Sequence, residues 1–342
     1  MNFWPWFFRF PHHFHWLQVE VTTYCQAACL YCPHTVYRDR WESRHLDLAI
    51  FKRLLPELHR VHLVYLQGWG EPFLHPDFFT LVSLAKRAGC QVGTTTNGML
   101  LDVDLLSRLV DQEVNVVAFS LAGVGESNDA VRRGTRFALV LEALRQLQDL
   151  KMRKGAVLPK VHVAYMLLRS GLADLPRLPS ALAGLGVSQV VVSTLDFVAA
   201  PELARESLRL GPPEEYRDLL ARLADLAAQG RRLGLEVFHH LPPLGRERPQ
   251  CPENIHRSLC VAADGQVAPC VYLNLKVPGG TMMTSLGERR HFRLTFGSLA
   301  EKTLPQIWRT PGYRRWRQEV LYGNLPFSCQ GCLKLGSARE IP

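Results

Sequence analysis

Three cysteines, Cys25, Cys29 and Cys32, lie close together in TTYCQAACLYCPH, spaced Cys-x3-Cys-x2-Cys just past an apolar run. Thiolates are the ligands of soft metals and iron-sulfur clusters. Three of them on one loop can hold three irons of a [4Fe-4S] cube and leave the fourth iron open to a substrate or cofactor. The competing reading is structural zinc, for which His34 would supply a fourth ligand. Five more cysteines follow near the C-terminal end: Cys251, Cys260, Cys270, Cys329 and Cys332, the last two forming Cys-x2-Cys. Their spacing alone also permits a four-ligand zinc site.

These residues need elements to position them. From Trp16 to about Ser193, short β-branched runs alternate with helix-like stretches. Strands are expected at 17–23, 61–67, 91–96, 114–120, 161–168 and 189–194, with amphipathic helices at 46–61, 76–89, 102–112 and 137–151. Such alternation implies βαβ units and a parallel sheet. Six repeats are too few for a closed eight-stranded barrel, so the expected fold is α/β, an open partial (βα)6 barrel with its site at the carboxyl ends of the strands. The cysteine loop follows the first strand directly and belongs in that mouth.

The expected organisation is an aromatic N-terminal segment (1–16), the partial barrel (17–195), a linker with one helix at 212–234 (196–250), and a small Cys-rich domain (251–342). In the last of these, VYLNLKVPGGTMMTSLGERRHFR offers a hairpin over the mouth or a plain surface loop.

Composition narrows the class. The chain has 342 residues, 47% hydrophobic and 21% charged, which suits a globular protein with a sizeable core. Nine cysteines in a chain of this length, grouped in CxxC-like sets without a signal peptide, favour metal or redox chemistry in a reducing compartment over disulfides. The ninth, Cys90, is expected to be a buried apolar residue opening a strand. No apolar run reaches the length of a membrane span, and the aromatic opening is broken by Arg9 and three histidines, so a cytoplasmic protein is expected. The formal charge of +9 is densest at RTPGYRRWRQ (309–318), read as a solvated basic face, or as a docking face for an acidic electron carrier, because RNA-binding signatures are absent. His12, His13, His15, His239 and His240 are read as surface or packing residues, and no dinucleotide or Walker fingerprint occurs.

The cysteine spacing, with aromatic Tyr31 just before the last thiol at the end of a first barrel strand, resembles the radical S-adenosylmethionine (SAM) enzymes. A second feature supports the resemblance: QGWGEPFLHPD (67–77) at the end of the second strand. There Gly68, Gly70, Glu71 and Pro72 match the family's Gly-Gly-Glu-Pro-like segment, which implies contact with the SAM amino group. Glycines permit close backbone approach and a carboxylate answers an ammonium. The resemblance also assigns Ser120, in AFSLAG at the end of the fourth strand, to the SAM ribose or carboxylate, with Asn97 of TTTNG as a further candidate and Tyr31 beside the cofactor. It implies an enzyme in which SAM chelates the open iron, and an electron from the cluster cleaves the carbon-sulfur bond. The 5'-deoxyadenosyl radical so formed abstracts hydrogen from substrate, while the protein binds, orients and shields.

The Cys251-x13-Gly265-x4-Cys270 pattern, the later FGSLAEKTLPQIW (296–308) and the terminal Cys-x2-Cys resemble the SPASM or shorter twitch extensions that carry auxiliary clusters. One auxiliary [4Fe-4S] cluster is expected. Cys260, Cys270, Cys329 and Cys332 would close it, and Cys251 could replace one of them. Members with such extensions modify peptides, sulfatase precursors, pterin cofactors and haem-type cofactors. Ser120-Leu121-Ala122-Gly123 departs from the frequent Ser-x-Asp-Gly of peptide modifiers, and no peptide-recognition domain precedes Cys25. The expectation is therefore a maturase of a cofactor or metalloenzyme, of the kind linked to tungsten- or molybdenum-pterin oxidoreductases. The alternatives are a peptide or protein maturase making thioethers or crosslinks, and a non-catalytic iron-sulfur scaffold. Expected partners are a cofactor precursor or a peptide, and a ferredoxin- or flavodoxin-like electron donor, with no nucleic acid.

Overall fold

The structure is a computed structural model and describes residues 13–239, 241 and 251–335. The opening aromatic residues 1–12, the Pro-rich exit 242–250, His240 and the tail beyond 335 lie outside the described residues.

Six parallel strands stand side by side in chain order: β1 (Phe14–Val19), β2 (Val61–Leu66), β3 (Gln91–Thr96), β4 (Val116–Leu121), β5 (Lys160–Leu167) and β6 (Val187–Thr194). Each coincides with a run read from the sequence, and β1 differs most, starting and ending earlier than expected. Three further strands extend the sheet. β7 (Glu236–His239), from the expected linker, pairs parallel to β6. β8 (Ser258–Val261), from the Cys-rich region, pairs parallel to β1, and β9 (Val267–Ala268) runs antiparallel to β8. Among the described residues the sheet thus has nine strands in the order β9-β8-β1-β2-β3-β4-β5-β6-β7.

Strand alternation sorts the side chains. Along β5, Val161, Val163 and Leu167 are buried while His162, Ala164 and Met166 are only partly so. The buried set joins a core with Leu17, Val64, Val92, Val117 and Val190, against helices α1 (Phe78–Arg87), α2 (Val103–Asp111), α3 (Phe137–Lys154) and α4 (Pro213–Arg232). The alternate set faces the barrel interior. One expected helix, 46–61, is two short pieces, Leu48–Lys52 and Leu55–Leu58. Pro56 removes an amide donor in its middle, so one helix ends and another begins around it.

In the Cys-rich region, α5 (Leu304–Trp308) and α6 (Pro311–Leu321) pack their apolar sides onto the same core. The stretch read as a solvated basic face is amphipathic: Tyr313 and Trp316 point inward, and the Arg317 guanidinium lies 3.5 Å over the Trp308 ring. Arg314 and Arg315 face solvent. Of the two readings for this stretch, residues 281–290 form a hairpin, Thr281–Thr284 against Gly287–Arg290. Met283 bridges to Val198, and buried Met282 joins a cluster with Tyr37 and Phe197.

Candidate radical SAM site and auxiliary cysteine cluster

A cavity of about 290 Å³ opens at the carboxyl ends of the strands. Its lining includes Cys25, Cys29 and Cys32 from the loop after β1, Gly68–Glu71 after β2, Asn97 after β3 and Ser120 at the end of β4. Met166 and Ser193 close it from β5 and β6. Tyr31 also lines it, and Pro72 is buried just behind, opening a short 3-10 turn. The residues singled out around the first cysteine motif therefore meet in one place.

The cysteine loop is held by a partner the sequence reading missed. Ala28–Cys29 pairs antiparallel with Arg132–Arg133, so the chain after β4 folds back over the loop. Arg132 is 6% exposed, lines the cavity, and donates from Nη1 to the Tyr31 hydroxyl at 2.7 Å. Its Nε is buried without a hydrogen-bond partner. The only sequence signal was the RRG run shortly after SLAG. Burial first, then the neighbouring acidic groups, pushes the Cys25 thiol up to about 11 and Cys32 up to about 12. Ionising these thiols needs local positive charge, which a bound cluster's iron and Arg132 would supply. Three thiols around a cavity beside an orphaned cationic donor fit a [4Fe-4S] cluster. His34, the candidate fourth zinc ligand, packs its ring edge-on to Trp41 at 5.1 Å. Among the described residues, no three His, Cys, Asp or Glu side chains converge as a single-ion site.

Glu71 is 2% exposed and held by three donors: Asn97 N (2.7 Å), Thr96 Oγ1 (2.8 Å) and Phe73 N (3.4 Å). Burial pushes its carboxyl up to about 7 against these hydrogen bonds. Asn97 in turn directs Nδ2 toward Cys25 Sγ at 3.9 Å and accepts from Gln26 Nε2 at 3.1 Å. The glycines have a reason inside the protein. A Cβ on Gly68 would fall 2.1 Å from Glu20 Cγ, and one on Gly70 would fall 2.5 Å from the carbonyl oxygens of Thr22 and Tyr24. The 68–70 turn lies directly on the chain leaving β1.

The second set also gathers. The thiols of Cys251, Cys270, Cys329 and Cys332 act on one another electrostatically in every pairing. Burial is the larger cause, and it pushes Cys251 and Cys329 up to about 12. Cys260 stands apart: it is 1% exposed on β8, with Glu20 as its foremost charged neighbour and the Cys270 thiol next. Arg289 clamps the Cys329–Cys332 loop, donating to the carbonyls of Phe327, Ser328 and Gln330 at 2.8–3.0 Å. Cys90 is buried before β3, its thiol 3.1 Å from the Leu58 carbonyl.

Comparison with known proteins agrees with this geometry. The Radical SAM superfamily model matches residues 19–171, and the model of the SPASM iron-sulfur cluster-binding domain matches residues 251–333. The tungsten-containing aldehyde ferredoxin oxidoreductase cofactor-modifying protein of Pyrococcus furiosus is 26% identical over 93% of this chain and 86% of its own. The mycofactocin maturase MftC of Mycobacterium tuberculosis is 28% identical over 66% of this chain and 56% of its own. The PqqA peptide cyclase of Gluconobacter oxydans is 23% identical over 92% and 82%. Among solved structures, anSMEcpe with bound AdoMet superposes with a TM-score of 0.67 at 15% identity, covering 96% of this chain and 88% of that one. SuiB of Streptococcus suis bound to S-adenosylmethionine gives 0.63 at 15% identity, covering 90% and 68%. These two likenesses show the fold. Residues 19–171 thus form a radical SAM domain and residues 251–333 a C-terminal SPASM domain, in an enzyme that uses S-adenosylmethionine and a [4Fe-4S] cluster and carries an auxiliary iron-sulfur cluster.

Proposed function

We propose that this enzyme cleaves SAM reductively and abstracts hydrogen from a precursor in the maturation of a cofactor or metalloenzyme, of the tungsten- or molybdenum-pterin-linked kind. The convergence of Cys25, Cys29, Cys32, Glu71, Asn97 and Ser120 on one cavity carries the reading of the reaction. The match along 93% of the chain to a cofactor-modifying protein supports the substrate class.

In this reading Cys25, Cys29 and Cys32 hold the cluster, and Arg132 offsets the charge of the ligated thiolates. The 68–70 turn and Glu71 receive the ammonium of SAM, and Ser120 and Asn97 orient its polar groups. Bound there, SAM and the reduced cluster supply the one-electron cleavage that arms hydrogen abstraction. The strand ends bearing Met166 and Ser193 face the substrate side of the cavity and restrict water. Cys251, Cys270, Cys329 and Cys332 hold the auxiliary cluster, with Cys260 left as a buried neighbour. A ferredoxin- or flavodoxin-like protein donates the electron. The chain's domains are taken as 17–195 and 251–342, joined through 196–250.

A second reading is modification of a peptide, favoured by the similarity to proteins named mycofactocin maturase and PqqA peptide cyclase. The discriminating experiment incubates the reconstituted enzyme, SAM and reductant with two substrate pools: an apo tungsten-pterin oxidoreductase with its cofactor, and candidate precursor peptides. Substrate-dependent SAM turnover with a mass change in the first pool supports the main reading. Turnover confined to the peptides overturns it.

A further inference from the structure

Just past the end of β1, Glu20 is buried at 4% exposure. Its Oε1 accepts a hydrogen bond from Trp69 N at 3.1 Å, and its Oε2 accepts from Ala263 N at 3.2 Å and Asn274 Nδ2 at 3.4 Å. The two backbone amides belong to distant parts of the chain. Trp69 lies in the turn that leads into Glu71 and lines the cavity with the three cysteines. Ala263 lies in the turn between β8 and β9, and Asn274 ends the short helix that starts immediately after Cys270. The absent side chain of Gly68 makes the room in which Glu20 sits. Behind Asn274, Arg293 donates to Asn274 Oδ1 at 3.1 Å and grips Asp264 at 2.6 and 2.8 Å. One continuous polar chain therefore runs from the first turn to the segment bearing Cys270.

A buried carboxylate is costly unless its oxygens are answered. Here the answer comes from two backbone amides and a side-chain amide, with no ion pair to Glu20 itself among the described residues. A carboxylate only accepts, so it can join two turns that both present donors. A glutamine of the same size offers one oxygen and one donor and cannot satisfy both turns.

We propose that Glu20 is a positioning residue: it sets the Gly68–Gly70 turn for SAM and ties that turn to the Cys260–Asn274 segment of the auxiliary domain. This rests on the reading that the 68–71 turn contacts SAM.

The test measures the SAM dissociation constant of reconstituted enzyme, matched for iron content, by equilibrium dialysis, with the SAM-induced change in the reduced cluster's electron paramagnetic resonance spectrum as a second readout. The variants are Glu20→Gln, Asn274→Asp and their combination. In Glu20→Gln the new amide faces donors. In Asn274→Asp two acceptors face each other. In the combination, the amide introduced by Glu20→Gln can donate to the carboxylate introduced by Asn274→Asp, which still accepts from Arg293. The expected result is SAM binding weakened about tenfold or more in each single variant, with the combined variant recovering part of the loss, because Ala263 N still lacks its acceptor. A Glu20→Gln enzyme that binds SAM within twofold of wild type overturns the inference, as does a combined loss equal to the sum of the single losses. Should Glu20→Gln fold poorly, recovery in the combined variant still decides. Glu71→Ala separates the two levels: if it weakens SAM binding while Glu20→Gln does not, only the Glu20 inference fails. If neither does, the reading of the 68–71 turn fails.

Discussion

Arg132 donates a 2.7 Å hydrogen bond to the Tyr31 hydroxyl, from a strand segment paired residue for residue with Cys29. A buried cation is thus placed against the loop whose thiols must become anionic. Neither Tyr31 nor Arg132 needs to touch SAM for this arrangement to matter: burial alone would keep the Cys25 and Cys32 thiols protonated, and the guanidinium works against that.

Arg132→Met should therefore lower stability by about 2 kcal/mol, the scale of a lost charged hydrogen bond that leaves the Tyr31 hydroxyl unpaired. It should also reduce iron retained at the N-terminal site. Urea denaturation of the apoprotein and iron analysis after reconstitution check both. Wild-type values for the pair would mean the guanidinium has no part in holding the loop.

Gly70→Ala should destabilise by more than about 2 kcal/mol, since the added methyl meets two backbone carbonyls that cannot swing away. Gly89→Ala is the comparison. Its added methyl meets nothing within 4 Å, and only its φ of +87° is strained, so a loss of about 1 kcal/mol is expected. Chemical denaturation of the two variants side by side should rank them in that order.

The carboxyl of Glu71 gives a pH signature in the apoprotein. Burial raises it from 4.5 to about 7. Between those values the folded chain holds a proton that the unfolded chain has released, so its stabilising contribution is complete below about pH 4.5 and is lost as the pH rises through 7. Relative to Glu71→Gln, wild type should lose on the order of 3 kcal/mol between pH 4.5 and 8, taking each pKa unit as 1.36 kcal/mol. Parallel pH profiles for the two proteins would contradict the assignment.

Iron counting tests the auxiliary ligand set. Wild type should hold about eight irons, the content of two [4Fe-4S] clusters. Cys251→Ala should fall to about four, and Cys260→Ala should stay near eight. The reverse pattern would restore Cys260 to the set.

The six central strands were legible because each is a β-branched run bounded by turn residues, and the cysteine and GWGEP motifs because each occupies a single strand end. β7 and β8 were not legible. Each is only four residues long, and β8 joins β1 from more than 230 residues away, a pairing no local pattern encodes. Arg132 was missed for the same reason, since its value comes from a long-range antiparallel pairing with Cys29. Glu20 carried a signal that went unread: a lone carboxylate between Val19 and Val21, both buried, must have buried partners. Among the second set of cysteines, spacing could not separate Cys251 from Cys260. The folding of Cys260 into β8 beside Glu20 is the observation on which the proposed ligand set rests.

In the proposed function the loop of Cys25, Cys29 and Cys32 forms a working SAM-cleaving site. The most direct measurement is 5'-deoxyadenosine by mass spectrometry after anaerobic reconstitution with iron and sulfide, followed by SAM and dithionite, with Cys29→Ala in parallel. Product is expected from wild type and none from Cys29→Ala. Equal product from both, or none from wild type with its clusters intact even in the presence of the substrate pools, would contradict it.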